Sequence, residues 1–169
     1  GKKRPPDRAP KLLECFAQQI AALTETAGPD SKLVIGGKSM GGRMASLLAA
    51  EHSNTTKSNT KESNTKESNA KAIDGLICLG FPFHPPGKPE NFRGEHLEKI
   101  DIPTLIIQGE RDTFGNRQEI AGFTRSEQVC YHFLADGDHS FKPRKASGFT
   151  QQQHIDTAVD TMVSFMEQL

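Results

Sequence analysis

The chain reads as an α/β protein: a mostly parallel sheet with helices on both faces. Three observations predict it. Apolar runs, the first of them β-branched, recur at 32–35, 73–79, 103–107 and 129–134, long enough for strands and too short for helices. Each run gives way to polar and glycine-bearing residues and then to a helix-like stretch, an alternation that builds parallel sheets through right-handed crossovers. A length of 169 residues, 34% of them hydrophobic, suits one domain.

The elements follow in order. Residues 11–23 place Leu12, Phe16, Ile20 and Leu23 on one helical face behind Pro10, a suitable first-turn proline. The first strand at 32–35 runs through glycines into a helix at 43–50. Residues 53–71 then repeat Ser-Asn-Thr-Lys-Glu with almost nothing apolar. Such a segment cannot offset its ordering entropy, so a disordered low-complexity insertion is expected within a single partial domain spanning 1–169. Its position between a helix and the next strand puts it at the N-terminal edge of the sheet. From 80 to 101 the residues allow a proline-containing loop and one helix, which implies an open pocket without a large lid. The last helix carries Ile155, Ala158, Val159, Met162, Phe165, Met166 and Leu169, with Thr150 and Gln153 at capping-box spacing. Both terminal helices read as core-packing elements.

The chemistry concentrates where the first strand meets its helix, in Gly37-Lys38-Ser39-Met40-Gly41. A Gly-x-Ser-x-Gly turn between a strand and a helix is a nucleophile elbow. It lifts the serine hydroxyl out of strained backbone, and side chains at the two glycines are expected to collide with the flanking strand and helix. The backbone N–H of Met40, at the helix start, is placed to hold a developing oxyanion. The pentapeptide alone is weak evidence; a strand before it, a helix after it and partners downstream make it specific. Phosphate-loop spacing needs glycine at Lys32, and a dinucleotide fingerprint needs one at Lys38, so both cofactor classes fail.

In a parallel sheet every strand's C-terminal end opens on one edge, where ligands bind. Ser39, Asp112 and His139 each follow a different strand, so this topology gathers them there. His139 is the candidate base for the Ser39 proton, and Asp112 the carboxylate that fixes the imidazole tautomer. Taken singly, Asp112 is also a good N-cap or turn residue, and His139 reads as a surface turn histidine. Asp136 and Asp138 rank behind Asp112, because sequence neighbours rarely place a carboxylate behind the ring. Phe83 and His84, just past the second strand, are candidates for lining a substrate pocket, a solvated loop being the alternative for His84. His52, His96, His132 and His154 lack metal-ligand spacing, and neither H-E-x-x-H nor C-x-x-C occurs. No metal and no cofactor are expected.

Four segments carry a family resemblance: 36–45 around Ser39, 79–89 (Leu79 to Pro89), 108–112 ending in Asp112, and 137–144 around His139. Together they resemble the small α/β-hydrolases related to dienelactone hydrolase. The similarity is greatest to a branch with a testis-expressed hydrolase-like protein and the hydrolase-like domain of a non-specific lethal histone acetyltransferase complex subunit. The resemblance implies an α/β-hydrolase fold with Ser39, Asp112 and His139 at the triad positions. Members begin with two strands and an oxyanion loop before the segment equivalent to 3–10. The resemblance therefore implies that these N-terminal strands are missing and the second oxyanion donor is absent from the chain, which starts at Gly1 rather than Met. The strand bearing Ser39 is then expected at an exposed, association-prone sheet edge.

Zero formal net charge gives no electrostatic case for nucleic acid or membrane partners. The basic cluster of Lys142, Arg144 and Lys145 reads as a solvated face or as a lure for an anionic substrate. Three cysteines, with Cys15 and Cys78 expected buried, fit reduced thiols and an intracellular protein, cytoplasmic or nuclear. Two functions follow. The first is a serine hydrolase of a small-molecule ester-like or lactone-like acyl substrate, acting through an acyl-enzyme. The second is a catalytically silent hydrolase-fold module with protein partners in a larger complex.

Overall fold

The computed structural model describes residues 7–28, 30–58 and 73–169, without the side chains of 53–58. Four strands, β1 (Val34–Lys38), β2 (Gly75–Leu79), β3 (Thr104–Gly109) and β4 (Val129–Leu134), form one sheet in the order β1-β2-β3-β4. Every neighbouring pair is parallel. The helices are α1 (Ala9–Thr26), α2 (Met40–Ser58), α3 (Arg117–Ile120) and α4 (Gln151–Met166), with 3-10 turns at Glu95–Lys99 and Lys145–Ser147.

Side-chain alternation along the strands splits the core in two, as period-2 geometry demands. Leu76 and Cys78 of β2 join Ile20 of α1, Ala45 and Leu48 of α2, and Leu97 on one face. Ile77, Leu105 and Ile107 meet Ala158 of α4 on the other, where Met162 and Phe165 pack against them. Local signals act as read: Pro10 lies in the first turn of α1, and Thr150 and Gln153 complete a capping box on α4.

Several expectations change. Cys15 and Leu23 are exposed, because α1 contacts the core mainly through Leu13, Phe16 and Ile20. Cys78 is buried as expected, and burial pushes its thiol far up, leaving it neutral. On α4, Ile155, Val159 and Met166 face solvent instead of the core, together with Val163. Among the described residues α4 is the helix packed over that sheet face, and it buries only the residues pointing inward. Helix α2 extends to Ser58, covering the start of the 53–71 insertion; a nucleated helix propagates at little cost per residue. The rest of that insertion, 59–71, lies outside the described residues. Among the described residues, β1 is a sheet edge and no helix is long and apolar enough to cross a membrane.

Candidate active site

Ser39 is the single residue between β1 and α2. Its φ of 53° puts a non-glycine residue in the left-handed region, a strain of roughly 1–3 kcal/mol that surrounding structure must hold. Part of that hold is the Ser39 N–H, which donates to the Leu79 carbonyl at 2.8 Å. The glycine requirement falls differently from expectation. A Cβ at Gly37 would lie 2.8 Å from Gly41 C, and one at Gly42 would lie 2.6 Å from Gly37 O, whereas one at Gly41 meets nothing within 4 Å. The strand and helix touch at Gly37 and Gly42, while Gly41 faces open space.

The strand order poses a problem of reach. Ser39 follows β1 and His139 follows β4, the two opposite edges, so three strand spacings of about 4.8 Å separate their strands. Residues 135–141 cross the gap over the ends of β3 and β2. Asp136 and Phe141, at φ 55° and 65°, turn the chain on either side of His139. Two glycines beneath the crossing make room. A Cβ on Gly109 would sit 2.4 Å from the Asp138 carbonyl oxygen, and one on Gly80 would sit 3.1 Å from that of His139.

The crossing brings the three sequence candidates together. His139 Nε2 lies 2.9 Å from Ser39 Oγ, and His139 Nδ1 lies 2.8 Å from Asp112 Oδ2. A carboxylate only accepts, so Nδ1 carries the proton and Nε2 offers its lone pair to the serine hydroxyl. Burial rises along the chain of bonds: Ser39 is half-buried, the His139 side chain is 23% exposed and that of Asp112 is 0% exposed. The Phe114 ring covers His139 at a centroid distance of 4.3 Å.

Asp112 is held by donors that the sequence reading did not name. Gln108 Nε2 donates to Asp112 Oδ2 at 2.9 Å, and Phe114 N–H donates to Oδ1 at 2.9 Å. Gln108 is wholly buried and also accepts from Phe81 N–H through Oε1 at 2.7 Å. The available signal was an amide at the end of an otherwise apolar strand, four residues before the aspartate. Next to it, Glu110 Oε2 accepts from Asp136 N–H at 3.0 Å, and the Arg111 N–H donates to Gly137 O at 2.9 Å. Arg144 bonds the Asp136 carboxylate and holds it down to about 2. Glu110 is likewise held below the usual carboxylate range, first by the Asp136 N–H and then by Arg117. The loops bearing Asp112 and His139 are thus clamped together. Asp136 belongs to that clamp, with Arg144 spent on it. A cleft of about 580 Å³ beside the clamp is lined by Asp112 and Thr113 but by neither Ser39 nor His139.

Phe83 and His84 require correction as pocket-lining residues. Phe83 is 0% exposed, packed among Phe81, Phe92, Phe123 and Tyr131. His84 is 2% exposed, with Nε2 3.4 Å from Glu119 Oε2. Phe83 thus turns into the aromatic core, and His84 turns inward between Glu119 and the Pro85 carbonyl, 2.9 Å from its Nδ1. His96, on the 3-10 turn at Glu95–Lys99, lies 2.7 Å from Ser46 Oγ through Nε2. Ser46 is fully buried and donates to the Arg43 carbonyl at 2.8 Å, so this histidine supplies the proton and the serine accepts. Burial, then the charge of Arg43, pushes His96 down to about 4.

A strained serine at the C-terminal edge of a parallel sheet, bonded to a histidine that is bonded to a buried carboxylate, defines the α/β-hydrolase class. The family model described as Alpha/beta hydrolase domain matches residues 1–167, and the chain belongs to that family. Solved structures share the fold at low identity. A protein of unknown function from Agrobacterium tumefaciens is 15% identical over 99% of this chain and 66% of its own, with a TM-score of 0.63. Est1E from Butyrivibrio proteoclasticus is 13% identical over 95% and 72%, with a TM-score of 0.60. A serine hydrolase involved in carbazole degradation is 14% identical over 100% and 76%, with a TM-score of 0.57. The chain thus spans two thirds to three quarters of these structures' lengths.

Proposed function

We propose that the chain is a serine hydrolase of ester-like or lactone-like carbonyl substrates, with Ser39 as nucleophile, His139 as base and Asp112 as its orienting carboxylate. The observation that carries this reading is the continuous bond path from Ser39 Oγ through His139 to Asp112. Ser39 Oγ attacks the carbonyl carbon while His139 Nε2 takes its proton, and Asp112 stabilises the imidazolium. Collapse of the tetrahedral adduct expels the leaving alcohol, which takes the proton from His139 and leaves an acyl-enzyme. Water repeats the sequence in reverse and releases the acid. Met40 opens α2, so its N–H has no carbonyl four residues back and is free to receive the oxyanion. No residue of this chain is assigned as a second donor; one such donor is worth about 2.7–4 kcal/mol. The likeness of the four motifs to dienelactone hydrolase relatives supports a lactone or small ester over a peptide.

Labelling by a fluorophosphonate probe tests the reading. The expected result is labelling of the chain and none of its Ser39→Ala variant. A folded protein that takes no label removes the reading in favour of the second one, an interaction module. One feature favours that alternative: the solvent-facing apolar row Ile155, Val159, Val163 and Met166 on α4, the kind of surface on which partners dock.

A further inference from the structure

We infer that Lys38 is a positioning residue that keeps His139 in place during the acyl-enzyme stage, an inference that rests on the Ser39 hydrolase reading. Its Nζ donates to the His139 carbonyl oxygen at 2.7 Å, across 101 positions of sequence. The same ammonium stands 5.4 Å from the centre of the Phe141 ring, two residues further along the crossing. One side chain therefore grips the crossing loop at the base itself and just beyond it.

The sheet explains why such a grip matters. His139 is tied firmly to the acid side: its Nδ1 meets Asp112, Arg111 N–H meets Gly137 O, and Glu110 meets Asp136 N–H. From the far side, Gln151 Nε2 donates to Ser140 O at 2.9 Å, and His154 lies 2.8 Å from Phe141 O. None of these bonds involves the elbow. Among the described residues, the hydrogen bonds between elbow and crossing are the Ser39–His139 contact and the Lys38–His139 bond. Strand pairing adds nothing, since β1 and β4 are opposite edges of the sheet.

The first of those two bonds is consumed by the reaction. Once Ser39 Oγ is acylated it has no proton to give to His139 Nε2. The imidazole must nonetheless stay within reach of the acyl carbon, to take a proton from the attacking water and return it to Oγ as the ester bond breaks. During that interval the Lys38 bond alone joins the elbow to the base. It touches the histidine main chain and not the reacting atoms, so its effect comes through position.

Lys38 is exposed, which makes it replaceable without disturbing the core. Pre-steady-state hydrolysis of p-nitrophenyl acetate separates the acylation burst from steady-state deacylation. In Lys38→Met the deacylation rate should fall on the order of tenfold and the burst rate about threefold or less, with the melting temperature unchanged. Lys38→Arg, which keeps the charge and the donor, should recover most of the lost deacylation rate. Equal loss on both steps, no loss at all, or no rescue by arginine overturns the inference while Ser39-dependent turnover in the parent chain leaves the hydrolase reading standing. A parent chain with no Ser39-dependent burst overturns both.

Discussion

Among the described residues there are two serine–histidine hydrogen bonds, and they are chemical opposites. In Ser39–His139 the imidazole proton points at a buried carboxylate, so the other nitrogen can accept from the serine. In Ser46–His96 the hydroxyl already donates to the Arg43 carbonyl, so the imidazole donates and the serine accepts. Ser39 is half-buried, whereas Ser46 has no exposed surface. A cation, Arg43, sits near His96 where the other histidine has Asp112. Proximity of serine to histidine therefore makes no nucleophile; the second partner of the ring decides which way the proton runs.

Removing that second partner should have the largest effect. Asp112→Asn keeps the shape but offers an amide donor to Nδ1, which reverses the tautomer; the first-order labelling rate constant of Ser39 should fall about 10⁴-fold. Retained labelling in that variant would dissolve the contrast between the two pairs. Next in size is Gly109→Ala. Its Cβ would press on the Asp138 carbonyl, a main-chain atom that cannot swing aside, and displacement of the crossing by about 1 Å should cost labelling on the order of 100-fold. A variant labelled at the parent rate would show that the crossing is looser than its packing indicates.

The second pair should speak through stability. His96 binds its proton less well folded, at about 4, than at its ordinary 6.5. Between those values the unfolded state holds more protons, so stability is full above pH 6.5, declines as pH drops toward 4 and levels off below. The decline should amount to about 3 kcal/mol, read as a falling melting temperature that His96→Gln flattens. Glu95, which favours the charged form, and Arg43, which opposes it, both bear on the ring. Asp136 acts in a separate window: its carboxyl is held down to about 2 from 3.8, so its contribution is lost only as pH falls through that range. Smallest is Ser46→Ala, expected to leave labelling within about twofold and to cost about 1–2 kcal/mol for the unpaired histidine donor. A large loss of labelling there would move the chemistry to the wrong pair.

Ser39, Asp112 and His139 were legible because each follows a strand and because Gly-x-Ser-x-Gly constrains a local turn. Gln108 was not, since its role depends on Asp112 and Phe81 folding around it from different turns. Phe83 and His84 misled for the same reason: position after a strand places a residue at the right edge but does not say whether it turns outward or into the interior. On α4 the sequence shows an apolar row, and only the packing of the helix on the sheet shows which of its residues turn inward and that Ile155 and Val159 remain in water.

By itself, then, the sequence determined the strand–turn–helix order, the first-turn proline of α1, the capping box of α4 and the three candidate side chains, because these rest on interactions within a few residues. The tertiary structure decided which of two Ser–His pairs faces a carboxylate, how His139 reaches across the sheet to Ser39, and why Gly80 and Gly109 lie beneath it. Those outcomes depend on strand order and on atoms far apart in the chain meeting within 3 Å, which no local pattern encodes.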